Sequence, residues 1–94
     1  MTENIQNQKQ ESLLKFPCEF PIKVMGLTNP NFERTIGSAV REIVPDFDPS
    51  TIVVEYSKTQ KYTSLTVTIQ AKSKEQLDSL YMMLTAHPMV KVVL

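Results

Sequence analysis

Apolar residues recur along this chain with a period of two in some segments and of three to four in others. They alternate with other residues over 19–25 and most clearly over 62–71, which is typical of strands with one buried face. The β-branched stretch 51–56 and the closing segment 89–94 also predict strands. Gly26 interrupts the first strand, and we expect it to adopt a positive φ in the turn that follows.

Two helices separate these strands. An apolar stripe at helical spacing follows Asn29-Pro30, which predicts Asn29 as the N-cap and Pro30 as the first helical residue. Ser73 and Gln76 have the spacing of a capping box and predict the start of the second helix, which ends before Pro88. The polar stretch 57–61 fits a hairpin between the second and third strands.

The resulting order, β-α-β-β-α-β, predicts an α+β domain of the ferredoxin-like kind. Two right-handed crossovers joined by a hairpin give a two-layer sandwich, with a four-stranded antiparallel sheet in the order 4-1-3-2 and two helices on one face. Residues 16–94 form this single domain. Residues 1–15 are expected to be a flexible polar tail, and residues 11–16, where the tail joins the domain, can form one docked helical turn.

Composition argues against several classes of partner. The 94 residues carry ten Lys plus Arg and ten Asp plus Glu, so there is no surplus positive charge for nonspecific binding to nucleic acid. No apolar run is long enough to span a membrane, and the amino terminus lacks the apolar stretch of a signal peptide. Cys18 has no second cysteine to pair with, as is usual in a reducing compartment. We therefore expect a cytoplasmic protein with no nucleic-acid or membrane partner.

One end of the predicted sheet gathers residues with ligand chemistry. The loop 26–30, the hairpin 57–61 and the turn before the last strand all meet there, together with the amino end of the first helix, which favours anions. The candidate ligand-binding residues at this end are Gly26, Asn29, Lys58, Lys61 and His87. A structural interpretation stays open beside this one, because hairpin lysines are usually solvated and a histidine after a helix often interacts with its free carbonyls.

The face of the sheet that points away from the helices is the second candidate surface. We expect it to carry Lys23, Met25, Val53, Thr66, Thr68 and Val93. The apolar members of this set could form a strip that serves as a dimer contact or a ligand platform, although such a mixed face can also stand in water.

Other functions of this topology lack their residues here. The outward positions of the third strand carry no aromatic side chain on which an RNA base could stack. One cysteine and one histidine do not make a metal site, and no nucleophile–base pair is visible. We therefore expect no catalytic residues, no metal and no cofactor.

Several segments resemble a known family. Phe16-Pro17-x-x-Phe20, Lys23-Val24-Met25-Gly26 and the ending Val90-Lys91-Val92-Val93-Leu94 are similar to the YbeD-like proteins, a family of small uncharacterised bacterial proteins. The resemblance spans about residues 16–94 and implies an ACT-like fold and a lipoate-related regulatory role. The family tends to carry a glycine in the hairpin, where this chain has Gln60.

Two hypotheses follow. The first is a noncatalytic regulatory or binding module that senses a small carboxylate such as lipoate. The alternative is a protein-interaction or self-association module, with a homodimer as one form, that acts through the exposed sheet face or the edge strand 51–56.

Overall fold

The computed structural model describes residues 15–94. Most of the predicted tail and its helical turn, residues 1–14, lie outside the described residues. The elements follow the predicted order and are listed here by their bounds: β1 (Cys18–Leu27), α1 (Phe32–Ile43), a 3-10 turn (Pro49–Thr51), β2 (Val53–Tyr56), β3 (Tyr62–Ala71), α2 (Lys74–Ala86) and β4 (Val92–Val93). The structure is thus an α+β fold with an open antiparallel sheet and two helices. The predicted second and fourth strands are shorter than expected, since residues 49–51 form the 3-10 turn and β4 spans two residues.

The sheet is organised around β1 and β3, which pair over their whole length from Cys18–Ala71 to Leu27–Tyr62. Its order is β2-β3-β1-β4, which is 4-1-3-2 when read from the other edge, and all three pairings are antiparallel. β2 and β4 are the edge strands. The two central strands alternate strictly between buried and more exposed positions, so the sheet has one covered and one open face.

Both helices cover the same face of the sheet. Ile22 and Val24 of β1 lie opposite Val67 and Leu65 of β3, and all four are completely buried. They belong to one cluster with apolar residues of both helices, among them Phe32, Ile36, Val40, Leu77, Leu80 and Leu84. Burying each such side chain contributes about 1.5–3 kcal/mol, so this single core holds the two layers together.

Gly26 lies inside β1 rather than in a turn, so the prediction of a turn with a positive φ at this residue was wrong. It is buried, pairs with Thr63, and no glycine among residues 15–94 has a positive φ. A Cβ atom at this position would overlap the carbonyl oxygen of Met89 and would lie 2.9 Å from Cζ of Phe32. Glycine is required here because the segment before β4 passes directly over the strand.

The amino end of α1 also differs from the prediction. Asn31, not Asn29, precedes the helix as its N-cap, and the helix begins at Phe32. Asn29 forms an Asx turn instead: its Oδ1 accepts a hydrogen bond from the Asn31 N–H (2.8 Å). The Asn29 carbonyl accepts a second bond from the Phe32 N–H (3.0 Å). The chain therefore completes a turn around Pro30 before the helix can start.

The connection from α1 to β2 packs against the middle of the helix. Asp48 Oδ1 accepts bonds from the Ser50 hydroxyl (2.7 Å) and the Ser50 N–H (3.0 Å), and these bonds hold the pKa of the Asp48 carboxyl below its usual value. The 3-10 turn that follows lies against Gly37, where an added Cβ would stand 3.4 Å from Cβ of Pro49. This packing keeps α1 beside the β2 edge of the sheet.

The hairpin between β2 and β3 places Gln60 in the left-handed region, with a φ of 62°. Its N–H donates to the Ser57 carbonyl (2.8 Å), which closes the turn. Left-handed backbone costs a residue with a side chain about 1–2 kcal/mol, whereas glycine adopts it readily. The resemblance to the YbeD-like proteins implied a glycine in this hairpin. A glycine at position 60 would fit the left-handed backbone better than Gln60 does.

Gln60→Gly is therefore expected to raise the free energy of unfolding by about 0.5–1 kcal/mol, the relief of strain minus the extra entropy that glycine loses on folding. Urea denaturation followed by circular dichroism measures the change. Thr59→Gly, one residue earlier in the same turn, is the matched control and is expected to be neutral or destabilising. A lower urea midpoint for Gln60→Gly than for the unmodified chain would contradict the interpretation.

Candidate functional site

Three connections meet at the end of the sheet where β1 finishes. The Thr28 N–H donates to the Lys61 carbonyl (2.9 Å), which joins the loop after β1 to the hairpin. The Lys91 N–H donates to the Met25 carbonyl (2.7 Å), which joins the segment before β4 to the same strand. The hydroxyls of Thr28 and buried Thr63 are hydrogen-bonded at 2.8 Å. The topology thus gathers the connections as the element order requires.

The predicted ligand residues at this end already have structural partners in several cases. Gly26 is covered by the Met89 carbonyl, and the Asn29 side chain closes the Asx turn. His87 is the C-cap of α2, and its Nδ1 accepts a hydrogen bond from the Met89 N–H (3.1 Å). These three residues therefore shape the end of the sheet through contacts within the chain.

The two hairpin lysines are exposed. Lys61 Nζ lies 5.6 Å from the centre of the Tyr62 ring, a cation–π distance, and Lys58 stands in the turn itself. A binding role for these five residues stays a prediction.

The amino end of α1 has few donors left for an anion. Pro30 has no N–H, and the N–H groups of Asn31 and Phe32 are bound to Asn29. Glu33 places an acidic side chain in the first helical turn, where it already benefits from the helix dipole. A carboxylate ligand would have to compete with these groups.

The open face of the sheet contains a shallow groove of about 380 Å³. Its lining residues are Lys23, Met25, Glu55, Tyr56, Ser57, Tyr62, Thr63 and Ser64. Met25, Ser64 and Glu55 lie side by side on β1, β3 and β2, so the small serine forms the floor between two longer side chains. Its hydroxyl oxygen is buried and has no hydrogen-bond partner among the described residues.

Apolar side chains surround this groove. Leu27 and Tyr62 face each other across β1 and β3, at 46% and 43% exposure, and Val92 of β4 stands beside Met25 with 45% exposure. Lys23 lies one row further along and is the cation of the groove. The open face thus combines the ammonium group of Lys23 with an adjacent apolar strip formed by Met25, Val92 and Tyr62.

The register of β4 corrects one predicted member of this face. Val93 pairs with buried Val24 and packs against the core, whereas Val92 pairs with Met25 on the open side. Antiparallel partners share a face, and a shift of one residue moves every side chain to the other one. The prediction for Val93 was therefore wrong, and Val92 takes its place. Register puts Lys23, Met25, Val53, Thr66 and Thr68 together on the open face.

The sequence matches a known protein family and several of its members. The pattern of a protein family described as "Protein of unknown function (DUF493)" matches residues 11–94. The chain belongs to this family. It is 52% identical over 84 residues to a "UPF0250 protein" of Paraburkholderia phytofirmans, a match that covers 89% of this chain and 94% of the relative. It is 49% identical over 85 residues to "UPF0250 protein NE1487" of Nitrosomonas europaea, with 90% of this chain and 98% of the relative covered.

A solved structure supports the fold of this DUF493 member. The solution structure of protein HP0495 from H. pylori superimposes with a TM-score of 0.65 and covers 86% of this chain and 85% of that one. The two sequences are 16% identical, so the likeness concerns the fold alone. The resemblance to YbeD-like proteins is confirmed at the level of the family.

Two further features were sought in the described part of this DUF493 chain: a metal site and a membrane-spanning helix. Within residues 15–94, no three His, Cys, Asp or Glu side chains lie close enough together to hold a metal ion. No helix described for this chain is long and apolar enough to cross a membrane.

Sequence reasoning missed three residues of the open face: Leu27, Tyr62 and Val92. Leu27 was assigned to the loop after the first strand because Gly26 was taken as the break, whereas Tyr62 was placed at the start of the predicted strand 62–71 without being assigned to a face. The missing signal was the pairing of β1 with β3 beyond Gly26, which no local pattern reveals.

Proposed function

We propose that this chain is a noncatalytic regulatory or binding module with an ACT-like fold, and that the groove on its open sheet face binds a small amphipathic carboxylate such as lipoate. One observation carries the proposal: Lys23 lies in the groove beside the apolar strip of Met25, Val92 and Tyr62. A cytoplasmic location is part of it, since the single cysteine needs no oxidising compartment.

The chemistry of the groove suits such a ligand in three respects. The Lys23 ammonium can pair with a carboxylate, and the apolar strip can cover a short aliphatic chain. The unpaired hydroxyl of Ser64 can donate to a ligand oxygen, which relieves the cost of leaving a buried polar group without a partner. The volume of about 380 Å³ falls within the range of small-molecule sites. Glu55 on the opposite wall disfavours a carboxylate near β2 and so orients the ligand toward Lys23.

Chemical-shift mapping tests the proposal. Titration of isotope-labelled protein with lipoate or octanoate to millimolar concentration is expected to shift the amide signals of Lys23, Met25 and Ser64 in a saturable way. Lipoamide, which lacks the charge, is expected to shift them less. Lys23→Gln should abolish the response, whereas Lys58→Gln at the hairpin should leave it intact.

Two other results would redirect the assignment. Shifts confined to residues 26–31 and 58–61 would move the site to the end of the sheet, where the sequence first suggested it. No shifts at millimolar ligand would overturn carboxylate binding altogether.

A protein-interaction module is the second candidate, and a different observation favours it. β2 is an exposed edge strand of four residues, Val53–Tyr56, with neither lysine nor proline in it. Lysine and proline are two of the features with which natural proteins protect such edges, because an unpaired strand accepts another strand readily.

A further inference from the structure

Two opposite charges face the groove of the open sheet face from its two sides. Lys23 of β1 and Glu55 of β2 both line the groove, and β3 lies between their strands. Both side chains are exposed, and neither makes an ion pair within residues 15–94. The other residues that line the groove carry no charge. A ligand in the groove therefore meets a cation at one side and an anion at the other.

The floor between these charges is apolar and contains one unused hydroxyl. Met25, Ser64 and Glu55 lie in one row across the sheet, and Tyr62 belongs to the next row. The Ser64 hydroxyl oxygen is buried without a hydrogen-bond partner among the described residues. Met25 is half-buried, and its flexible thioether side chain can turn aside to admit a ligand group to that oxygen. The groove thus offers, in order, an ammonium group, an apolar floor with a hydroxyl, and a carboxylate.

The register of the strands sets the distance that a ligand has to span. Lys23 lies opposite Thr66 of β3. Glu55 lies opposite Ser64, two residues away on the same strand. Two strand spacings across the sheet and two residues along it separate the Cα atoms of Lys23 and Glu55 by about 12 Å. Side chains stand roughly perpendicular to a sheet, and a charged contact at each end takes about 3 Å, so the ligand's own charges should lie roughly 6 Å apart.

We propose that the groove binds a free dipeptide as its zwitterion, with the terminal carboxylate at Lys23 and the terminal ammonium at Glu55. The inference rests on the first proposed function, whose contact between Lys23 and a carboxylate it keeps, and it narrows the class of ligand. An extended dipeptide spans about 6–7 Å, at about 3.3–3.6 Å per residue. A single amino acid spans about half of that distance and reaches only one of the two charged side chains.

The peptide bond of such a ligand lies above Ser64. Its carbonyl oxygen can accept a hydrogen bond from the Ser64 hydroxyl, which otherwise stays buried without a partner. The side chain of the carboxy-terminal residue lies beside Met25 and Tyr62, so an apolar one is favoured. Lipoate uses Lys23 and the apolar floor but has no cation for Glu55. A dipeptide therefore satisfies more of the groove than a simple carboxylic acid does.

Matched peptides test the role of the ammonium group. Isotope-labelled protein is titrated with glycyl-leucine, with N-acetylglycyl-leucine and with leucine, and binding is measured from the amide shifts of Lys23, Met25 and Ser64. Acetylation removes the ammonium group and keeps both the carboxylate and the peptide bond. Glycyl-leucine is expected to bind about fivefold more tightly than the acetylated peptide, which is the upper end for an exposed ion pair. Leucine is expected to bind more weakly than glycyl-leucine, because it cannot reach both charges.

Variants assign this preference to the groove. Glu55→Gln is expected to reduce the preference for glycyl-leucine to less than about twofold and to leave the acetylated peptide no weaker, because only the ammonium contact is lost. Glu42→Gln is the matched control, since Glu42 is exposed on α1 at the other side of the sheet. Ser64→Ala is expected to weaken both peptides by about threefold, the size of one hydrogen bond. Circular dichroism checks that each variant remains folded.

Four results would overturn this inference. The first is equal affinity for the free and the acetylated peptide, and the second is a preference that survives Glu55→Gln. The third is a set of glycyl-leucine shifts confined to residues 26–31 and 58–61, which would place the peptide at the end of the sheet. In these three cases, saturable lipoate shifts at Lys23 would leave the carboxylate site standing. The fourth is the absence of groove shifts with either lipoate or glycyl-leucine at millimolar concentration, which would overturn both proposals together.

Discussion

Gly26→Ala is expected to lower the free energy of unfolding by about 3 kcal/mol, the upper part of the usual range for overpacking in a core. The added methyl group would overlap the Met89 carbonyl oxygen and press against the Phe32 ring. The ring can rotate or shift, but the carbonyl belongs to backbone that is held in place. The Lys91 N–H bond to the Met25 carbonyl anchors this segment to β1 on one side of the contact. Relief therefore requires the whole segment before β4 to move outward.

Urea denaturation followed by circular dichroism measures this effect, and Gly37→Ala is its matched control. Both glycines are buried, but a Cβ at Gly37 would stand 3.4 Å from Cβ of Pro49 and 3.5 Å from Cδ1 of Ile52, which are ordinary contacts. Alanine in a helix interior is favoured over glycine by about 1 kcal/mol, so this variant is expected to be more stable. Equal effects of the two substitutions, in either direction, would show that close approach is not what Gly26 provides.

Phe32→Ala is expected to destabilise the fold by about 3–5 kcal/mol, because it empties a fully buried site at the start of α1. The ring packs between the amino end of the helix and β1, so its loss also loosens the loop that carries Asn29. Chemical denaturation measures the change. Met82→Ala removes a side chain that is 71% exposed on α2 and should stay within about 0.5 kcal/mol of the unmodified chain.

The two large effects should be coupled. In the Phe32→Ala background, Gly26→Ala loses one of its two clashes and is expected to cost less than in the unmodified chain. It should remain destabilising, because the Met89 carbonyl still blocks the methyl group. Strict additivity would mean that the ring does not contribute to the strain at Gly26.

The sequence predicted the features that depend on regular periods. Ile22 and Val24, and likewise Leu65 and Val67, are buried as the alternation over 19–25 and 62–71 required. Long segments repeat the same signal several times, which is why the element order and the buried face could be derived. Both helices were found for the same reason.

Features set by contacts between distant segments could not be predicted in this way. The pairing register of β4 is fixed by two backbone hydrogen bonds between Lys23 and Leu94. A strand of two residues is too short to show an alternating pattern in the sequence. Gly26 looked like a turn residue because its true neighbour, Met89, is far away in the sequence. The gathering of the candidate residues at one end followed from topology, but the bonds that occupy Asn29 and His87 did not.

The short pairing of β4 has a consequence for how the domain bears tension. β1 and β4 are antiparallel neighbours, so residue 18 and residue 94 leave the sheet toward the same end. Force applied between these two points pulls the strands apart like a zipper, and the Lys23–Leu94 bonds are loaded before all others. We therefore expect the domain to yield at low force, starting with β4. As β4 separates, the edge of β1 that had paired with it would become exposed, while β1 stays paired with β3 on its other edge.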